Sequence, residues 1–352
     1  MNFASDNWTG AAPAVMSALS RHNEGVAPAY GSDPLTSAIS DKFNEIFERE
    51  VAVFFVATGT AANSLALAAY AKPGGINFCH NESHIQVDEC NCPEFMTSGG
   101  KLVSVPGSGG KYTPAALQEA MSSFPNGVVH HGQVAIASIS QATESGTIYT
   151  LDEIASIKQV ADSRSIPLHM DGARFANALV TLGCSPADMT WKAGVDVLSF
   201  GATKNGCWCA EAVVFFDLEV AKGFEYFRKR GGHLFSKSRF VAAQFDGYFE
   251  QDSWLETASH ANGMASKIAE GIRELGGRTA WPVEANEVFP ILKRRQFEAL
   301  EAEGAMLYEW PTKDREGAAA LASDEVILRT VCSFATTETD VETFLKTLSE
   351  IG

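Results

Sequence analysis

The sequence predicts an α/β fold, with a mostly parallel mixed sheet covered by helices and a smaller C-terminal α+β domain. Short apolar runs recur through the first part of the 352-residue chain, helix-like segments separate them, and after Asp217 longer helical stretches follow. Runs that are apolar on both faces are typical of strands in a parallel sheet that is covered on both sides. We expect a large domain over residues 1–250, with an N-terminal arm over about 1–35, and a small domain over 251–352.

The predicted elements follow each other in the order that such a fold requires. We predict strands at residues 51–57, 76–79, 102–105, 134–139, 167–171, 195–200 and 212–216, with helices at 60–71, 113–123 and 150–164 between them. Thr150 and Glu153 have the spacing of a helix-starting capping box. Further on, we predict long helices at 218–250 and 254–275, strands at 287–292, 306–309 and 326–331, and helices at 294–303 and 338–350.

Composition and charge exclude several classes of protein. The chain has 43 acidic and 27 basic residues and a net charge of −16, which argues against a nucleic-acid partner or an anionic membrane partner. No apolar run reaches the ~20 residues of a membrane span, and no signal peptide is recognisable at the N-terminus. We therefore expect a cytoplasmic protein whose seven cysteines are reduced.

In open α/β sheets, ligands bind beyond the carboxyl ends of the strands. The segments in that place are residues 58–60, 80–84, 141–144, 171–174 and 203–204. The first, Thr58-Gly59-Thr60, leads into a helix whose free N–H groups could bind a phosphate, with the Thr60 hydroxyl as a further donor. A plain strand-to-helix turn capped by threonine would have the same sequence.

Asp171 and Lys204 follow two other buried strands at the same edge. A buried carboxylate is costly unless it meets a cation, so Asp171 either keeps a pyridine nitrogen protonated or caps the next helix. Partial desolvation would make Lys204 a Schiff-base nucleophile, although most lysines in loops are simply exposed. A phosphate cradle, a carboxylate and a lysine together are what pyridoxal 5'-phosphate (PLP) needs.

Several motifs resemble those of the L-threonine aldolase family, which belongs to the fold-type-I PLP enzymes and is related to the β-eliminating lyases. The matching stretches are residues 5–7, 29–34, 58–63, 83–84, 168–174 and Lys204, and the H-x-D-G-A-R pattern at 169–174 is fairly specific together with the Y-G-x-D-P pattern at 30–34. The resemblance extends to about Arg329. It implies a fold-type-I transferase-like fold, bound PLP, an amino-acid substrate, and self-association as a homodimer or homotetramer.

The resemblance also implies which residues hold the cofactor. Lys204 would bind PLP covalently, Asp171 would pair with its pyridine nitrogen, and Arg174 would lie near the ring hydroxyl. Gly59 and Thr60 match the phosphate-binding pair of the family.

Further matches concern the ring face and the substrate. His84 matches a histidine stacked on the pyridine ring, and His131 matches a second histidine near the substrate hydroxyl. Arg329 matches the arginine that binds the substrate carboxylate, for which a planar guanidinium is suited. Ser5 matches a serine that reaches the substrate. We also place Tyr30 in the substrate site, with a core or interface role as the alternative. The general base would be His84, His131 or a water molecule that they hold, and we expect the water.

These roles imply retro-aldol cleavage of L-threonine or L-allo-threonine to glycine and an aldehyde. A phenylserine-type aldolase and a PLP-dependent β-eliminating lyase are the alternatives, and a PLP-fold protein that binds without turnover is a third. The chain departs from the family at residues 231–237, where Ser236 or Lys237 stands in the place of an arginine.

Two C-x-C pairs, at residues 90–92 and 207–209, could in principle share a zinc ion. Free cysteines are also common as buried residues. We therefore expect no metal.

Overall fold

A seven-stranded mixed sheet forms the centre of the protein. The structure, a computed structural model, describes residues 1–310 and 321–351. The strands are β1 (Ala52–Val56), β2 (Gly75–His80), β3 (Lys101–Val105), β4 (Gln133–Ser140), β5 (Leu168–Gly172), β6 (Val197–Gly201) and β7 (Glu211–Phe215). They are arranged in the order β1-β7-β6-β5-β4-β2-β3. β7 runs antiparallel to both of its neighbours, whereas the other pairings are parallel, which confirms the predicted sheet.

Helices pack on both faces of this sheet. They are α1 (Pro13–Arg21), α2 (Pro34–Ile46), α3 (Gly59–Ala69), α4 (His84–Val87), α5 (Cys92–Met96), α6 (Pro114–Ser122), α7 (Leu151–Asp162), α8 (Phe175–Leu182), α9 (Pro186–Met189), α10 (Leu218–Ala221), α11 (Phe224–Arg230) and α12 (Arg239–Phe249). Phe55 and Val56 are neighbours in β1 but belong to different apolar clusters. Because successive strand residues point to opposite faces, the two clusters lie on opposite sides of the sheet.

Two local predictions had different outcomes. The capping box at the start of α7 is confirmed, because Thr150 Oγ1 accepts from Glu153 N–H at 3.2 Å and Glu153 Oε2 accepts from Thr150 N–H at 2.7 Å. The long helix expected over 218–250 is wrong, since α10, α11 and α12 occupy that region. Gly223 and Gly232 adopt left-handed φ angles of +82° and +76°, which interrupt a right-handed helix.

The C-terminal part combines an antiparallel sheet with three helices. Its elements are α13 (Ser253–Glu274), β8 (Arg278–Thr279), β9 (Glu287–Val288), β10 (Pro290–Lys293), α14 (Arg294–Ala302), β11 (Tyr308–Glu309), β12 (Glu325–Val331) and α15 (Glu338–Ile351). β12 pairs with β9, β10 and β11, and β8 pairs with β10. This confirms an α+β region, while the domain boundary near residue 250 stays a prediction. Across residues 1–310 and 321–351, no helix is long and apolar enough to cross a membrane.

The N-terminal segment joins the C-terminal sheet. Phe3 N–H donates to Met306 O, and Val331 N–H donates to Phe3 O, each at 2.8 Å. Phe3 is fully buried in the apolar cluster that also contains Leu328. The next residues, Ser5 and Asp6, are thereby held at the edge of the large sheet.

Candidate active site

A cavity of about 410 Å³ lies at the carboxyl ends of the parallel strands. Thr58, His84, Glu144, Asp171 and Lys204 line it, and they stand at or just after the ends of β1, β2, β4, β5 and β6. The structure therefore brings together the polar segments that the sequence placed at this edge. The C-terminal sheet closes the cavity from one side.

The loop between β1 and α3 forms an open helix N-terminus in the cavity wall. Thr58 caps α3, and its Oγ1 accepts a hydrogen bond from Ala61 N–H at 3.2 Å. Gly59 and Thr60 line the cavity, and a Cβ atom added to Gly59 would meet no other atom within 4 Å. The start of α3 thus faces empty space, and its unpaired N–H groups and helix dipole suit an anion such as a phosphate.

Asp171 is buried at the end of β5 with both carboxylate oxygens held. Oδ2 accepts from Asn63 Nδ2 at 2.8 Å, and Oδ1 accepts from Ala173 N–H at 3.0 Å. Ser140 of β4 is its neighbour across the sheet. These bonds fix the carboxylate in the cavity wall, where it could meet a cationic ring nitrogen.

His84, at the start of α4, is oriented by a buried carboxylate. Its Nδ1 lies 2.8 Å from Glu89 Oε1, and the same oxygen accepts from Asn63 Nδ2 at 2.9 Å. Asn63 therefore links the His84–Glu89 pair to Asp171. The hydrogen bond to Glu89 raises the pKa of His84, and burial raises the pKa of Glu89. The imidazole is held in one orientation and keeps its proton to a higher pH than an isolated histidine.

Glu144 is a cavity residue for which the sequence analysis gave no role. Its Oε1 accepts from His84 N–H at 2.7 Å and from Ser140 Oγ at 2.9 Å. Its Oε2 is buried and has no hydrogen-bond partner among the described residues. Burial and the nearby charge of Asp171 raise the pKa of Glu144 to about 7. Its position after a buried strand was the available signal, but its protonation depends on neighbours that are distant in sequence.

Lys204 lies in a 3₁₀ turn, Thr203–Asn205, directly after β6. Glu211, the first residue of β7, supports this turn, since its Oε2 accepts from Ala202 N–H at 3.1 Å. Burial raises the pKa of Glu211 to about 7. Lys204 and Glu211 both line the cavity, so the lysine that the sequence indicated has an acid beside it that the sequence analysis missed.

Two arginines and two acids form a buried network on the side of the C-terminal sheet. Arg174 donates to Asp6 through Nε at 2.9 Å and through Nη2 at 3.2 Å, and its Nη1 lies 3.0 Å from Glu287 Oε2. Arg329 Nε lies 3.5 Å from Glu287 Oε1, and its guanidinium stacks over Trp310. Although burial opposes it, the charges of Arg174 and Lys204 lower the pKa of Asp6.

This network refines the roles expected for the arginines. Both arginines line the cavity, but Arg174 is buried and bound on two sides by acids, whereas Arg329 is less enclosed and lies near one acid. Arg329 is therefore better placed to receive a carboxylate. The sequence analysis did not find Asp6 or Glu287, because nothing local in the sequence marks either residue as a partner of an arginine.

Of the remaining expected residues, Ser5 lies in the cavity wall, whereas Tyr30 and His131 do not. His131 is exposed two residues before β4, and Ser140 at the other end of this strand reaches the cavity. Eight strand residues span about 25 Å, so His131 lies at the opposite edge of the sheet. Tyr30 is 52% exposed, with Lys229 Nζ 5.3 Å from its ring centroid. Neither residue therefore lines the cavity of its own chain, and their assignment to the substrate site stays a prediction.

Ser236 and Lys237, which stand in the place of the family's arginine, are exposed and do not line the cavity. Ser236 O accepts from Tyr30 N–H at 3.1 Å.

All seven cysteines are free. Within the described ranges, no group of three or more His, Cys, Asp and Glu side chains is placed to hold a metal ion.

Comparison with known proteins gives the family. The family model described as "Beta-eliminating lyase" matches residues 2–295. The chain belongs to the beta-eliminating lyase family. Within this family, it is 43% identical over 307 residues to a low specificity L-threonine aldolase of Pseudomonas aeruginosa, covering 87% of this chain and 88% of that protein. It is 41% identical, with the same coverage, to the enzyme of that name from a Pseudomonas species.

Solved structures of the family show the same fold. A Leishmania major threonine aldolase matches with a TM-score of 0.91 and 27% identity, and the match covers 99% of each chain. Family and fold therefore confirm the resemblance found in the sequence motifs. Gly59, Thr60, Asp171, Arg174 and Lys204 lie within the residues that the family model matches, whereas Arg329 lies beyond them.

Proposed function

We propose that this protein is a PLP-dependent lyase that cleaves L-threonine and L-allo-threonine to glycine and acetaldehyde. One observation carries the proposal: the start of α3, Asp171, Lys204 and Arg329 line a single cavity. The names of the relatives support the choice of substrate. Both diastereomers are included because those relatives are described as low in specificity.

The residues that are present fit PLP. The open helix start at Thr58–Thr60 would receive its phosphate, and the open space at Gly59 leaves room for that group. Asp171 would keep the pyridine nitrogen protonated, and Lys204 would hold the cofactor covalently. When bound, PLP supplies an electron sink for the pair released from a bond to the substrate Cα.

The other cavity residues position the substrate and its protons. Arg329 binds the substrate carboxylate, for which its planar fork is suited. One carboxylate oxygen of Glu287 lies near Arg174 and the other near Arg329, so both guanidinium groups are held in place before a substrate binds. His84, fixed by Glu89, would lie against one face of the cofactor ring. Ser5 would contact the substrate amino acid.

The proposal includes a second copy of the chain at the site, as a homodimer or a larger homo-oligomer. Tyr30 and His131 are expected in the substrate site, yet both are exposed on this chain and lie outside its cavity. A neighbouring copy could present them to the cavity, which supports a shared site. Mixing inactive Lys204→Ala and Tyr30→Ala subunits should then restore part of the activity, whereas full activity of Tyr30→Ala alone would contradict the shared site.

The decisive experiment measures the products of L-threonine and L-allo-threonine with purified protein and PLP. Glycine and acetaldehyde in equal amounts are expected. Release of ammonia and a keto acid would show β-elimination and contradict the proposal. Glycine from phenylserine but from neither threonine isomer would show an aldolase with a bulkier substrate.

A further inference from the structure

The unpaired oxygen of Glu144 is the feature of the cavity that the roles above leave unexplained. Oε1 of Glu144 is fixed by two donors, His84 N–H and Ser140 Oγ. Oε2 is buried without a hydrogen-bond partner among the described residues, although the side chain lines the cavity. A buried polar atom without a partner is costly, so such an atom in a ligand cavity indicates that the ligand supplies the partner.

We propose that Glu144 is the general base that removes the proton from the β-hydroxyl group of the substrate. The inference rests on the proposed function, since only a β-hydroxy-α-amino acid brings that hydroxyl into the cavity. Oε2 accepts the hydroxyl hydrogen bond, while the two donors to Oε1 hold the carboxylate in place. The hydroxyl thus meets an acceptor that is positioned before binding.

The alternatives within this chain are less suited to the task. The Nδ1 of His84 is already engaged with Glu89, and this hydrogen bond raises the pKa of the ring, which favours the protonated form that cannot accept a proton. His131 of the same chain lies at the other edge of the sheet and would reach the cavity only from a neighbouring copy. Burial and the charge of Asp171 bring the pKa of Glu144 to about 7, where a general base works best at neutral pH.

The proton and electron balance of the step is simple. Glu144 takes the hydroxyl proton, and the electron pair of the O–H bond becomes the second bond of the aldehyde C=O. The Cα–Cβ bond breaks, its electron pair remains with the glycine part, and Cα takes up one proton from solvent, which gives glycine; bound PLP would supply the electron sink for that pair. Glu144, now carrying the hydroxyl proton, loses it before the next cycle.

Five charged or titratable groups surround Glu144 and interact with it electrostatically or through its hydrogen bonds. They are His84 on α4, Asp171 on β5, Arg174 after β5, Cys79 on β2 and Tyr149 before α7. Of these, His84, Asp171 and Arg174 line the cavity together with Glu144. A pH profile must therefore be compared between a reaction that involves the hydroxyl and one that does not.

Glycine provides that second reaction because it has the same Cα but no hydroxyl. The test compares wild type with Glu144→Gln, which keeps the shape, and Glu144→Asp, which keeps the acid. Three quantities are measured: kcat for L-threonine cleavage, α-proton exchange of glycine in D2O by NMR, and the Kd of glycine by calorimetry. Glu45→Gln, at an exposed position on α2, is the matched control.

If Glu144 is the base, Glu144→Gln lowers kcat for threonine about 10²–10⁴-fold. Glycine exchange and glycine Kd then stay within about 3-fold of wild type, and Glu144→Asp recovers part of the loss. Unchanged threonine cleavage in Glu144→Gln overturns the proposal, as does an equal loss of cleavage and glycine exchange.

A wild-type measurement covers the case in which Glu144→Gln does not fold. Cleavage needs the ionised carboxylate, so kcat/KM for threonine should fall as the pH drops below about 7, more steeply than glycine exchange. Parallel pH profiles of the two reactions would overturn the inference. A wild-type protein that exchanges the glycine proton but does not cleave threonine would instead refute the proposed function, and with it this role.

Discussion

The two walls of the cavity use buried charge in opposite ways. On the wall formed by α4, β4 and β5, the acids Glu89 and Glu144 have raised pKa values, and a single histidine faces them. On the wall next to the C-terminal sheet, Asp6 and Glu287 each meet an arginine, and the pKa of Asp6 is lowered.

This difference separates proton chemistry from binding. An acid for which burial outweighs the attraction of its neighbours has a raised pKa, so it can give or take a proton during a reaction. An acid paired with an arginine stays ionised and serves as a fixed charge that orients its partner. We therefore expect changes on the first wall to act on kcat and changes on the second wall to act on KM.

Lys204 lies between the two walls, and its removal should have the largest effect. Lys204→Ala leaves both walls intact but removes the amine that holds the cofactor, so we expect a loss of glycine release on the order of 10⁴–10⁶-fold, as for other covalent nucleophiles. The visible absorbance band of lysine-bound PLP should disappear with it. A variant that releases glycine at the wild-type rate would remove Lys204 from the mechanism.

Asp171→Ala should have the next largest effect and should act on kcat. Without its carboxylate, the pyridine nitrogen is no longer held protonated, and we expect kcat to fall about 10²–10³-fold. Asp171→Asn keeps the size and the hydrogen bond to Asn63, so it separates loss of charge from loss of packing. Wild-type kcat in Asp171→Asn would contradict the role of the charge.

Arg329→Lys tests the second wall with the positive charge retained. The planar fork is lost, and a charge-assisted hydrogen bond contributes about 1.5–3 kcal/mol, so KM for threonine should rise ~10–150-fold. We expect kcat to change much less, which initial-rate kinetics over a range of threonine concentrations will show. A fall in kcat at unchanged KM would place Arg329 in the chemical step and weaken the contrast between the walls.

The sequence predicted the centre of this site because its residues follow the strands in order. Three residues stand at or just after the end of an apolar run: Gly59 in a turn, Asp171 and Lys204. Parallel strands bring such positions to one edge of the sheet. The sheet itself was predictable for the same reason. The interruption of the helix predicted over 218–250 was not predictable, because the helical pattern of the sequence continues through Gly223, which adopts a left-handed conformation in the structure.

The features that the sequence did not predict depend on distant parts of the chain. Asp6 meets Arg174 across 168 positions, and this pairing is set by the path of the N-terminal segment along the C-terminal sheet. The raised pKa of Glu144 arises from burial and from Asp171, neither of which is visible locally. His131 matched a family motif, but a motif does not show which edge of the sheet a residue occupies.

Glu89→Gln should have the smallest effect on turnover and is the most specific test of the first wall. The amide retains a hydrogen-bond partner for His84 Nδ1 but removes the negative charge that raises the pKa of His84. Burial then dominates, so the pKa of His84 should fall, which NMR titration of histidine-labelled protein will measure against Glu45→Gln as the control. We expect kcat to fall by about 10-fold or less, below the ~10²–10⁴-fold of a group that transfers a proton itself. A loss as large as that expected for Glu144→Gln, with the titration of His84 unchanged, would make Glu89 the proton-transferring acid and move the reactive position on this wall from the segment after β4 to the segment after α4.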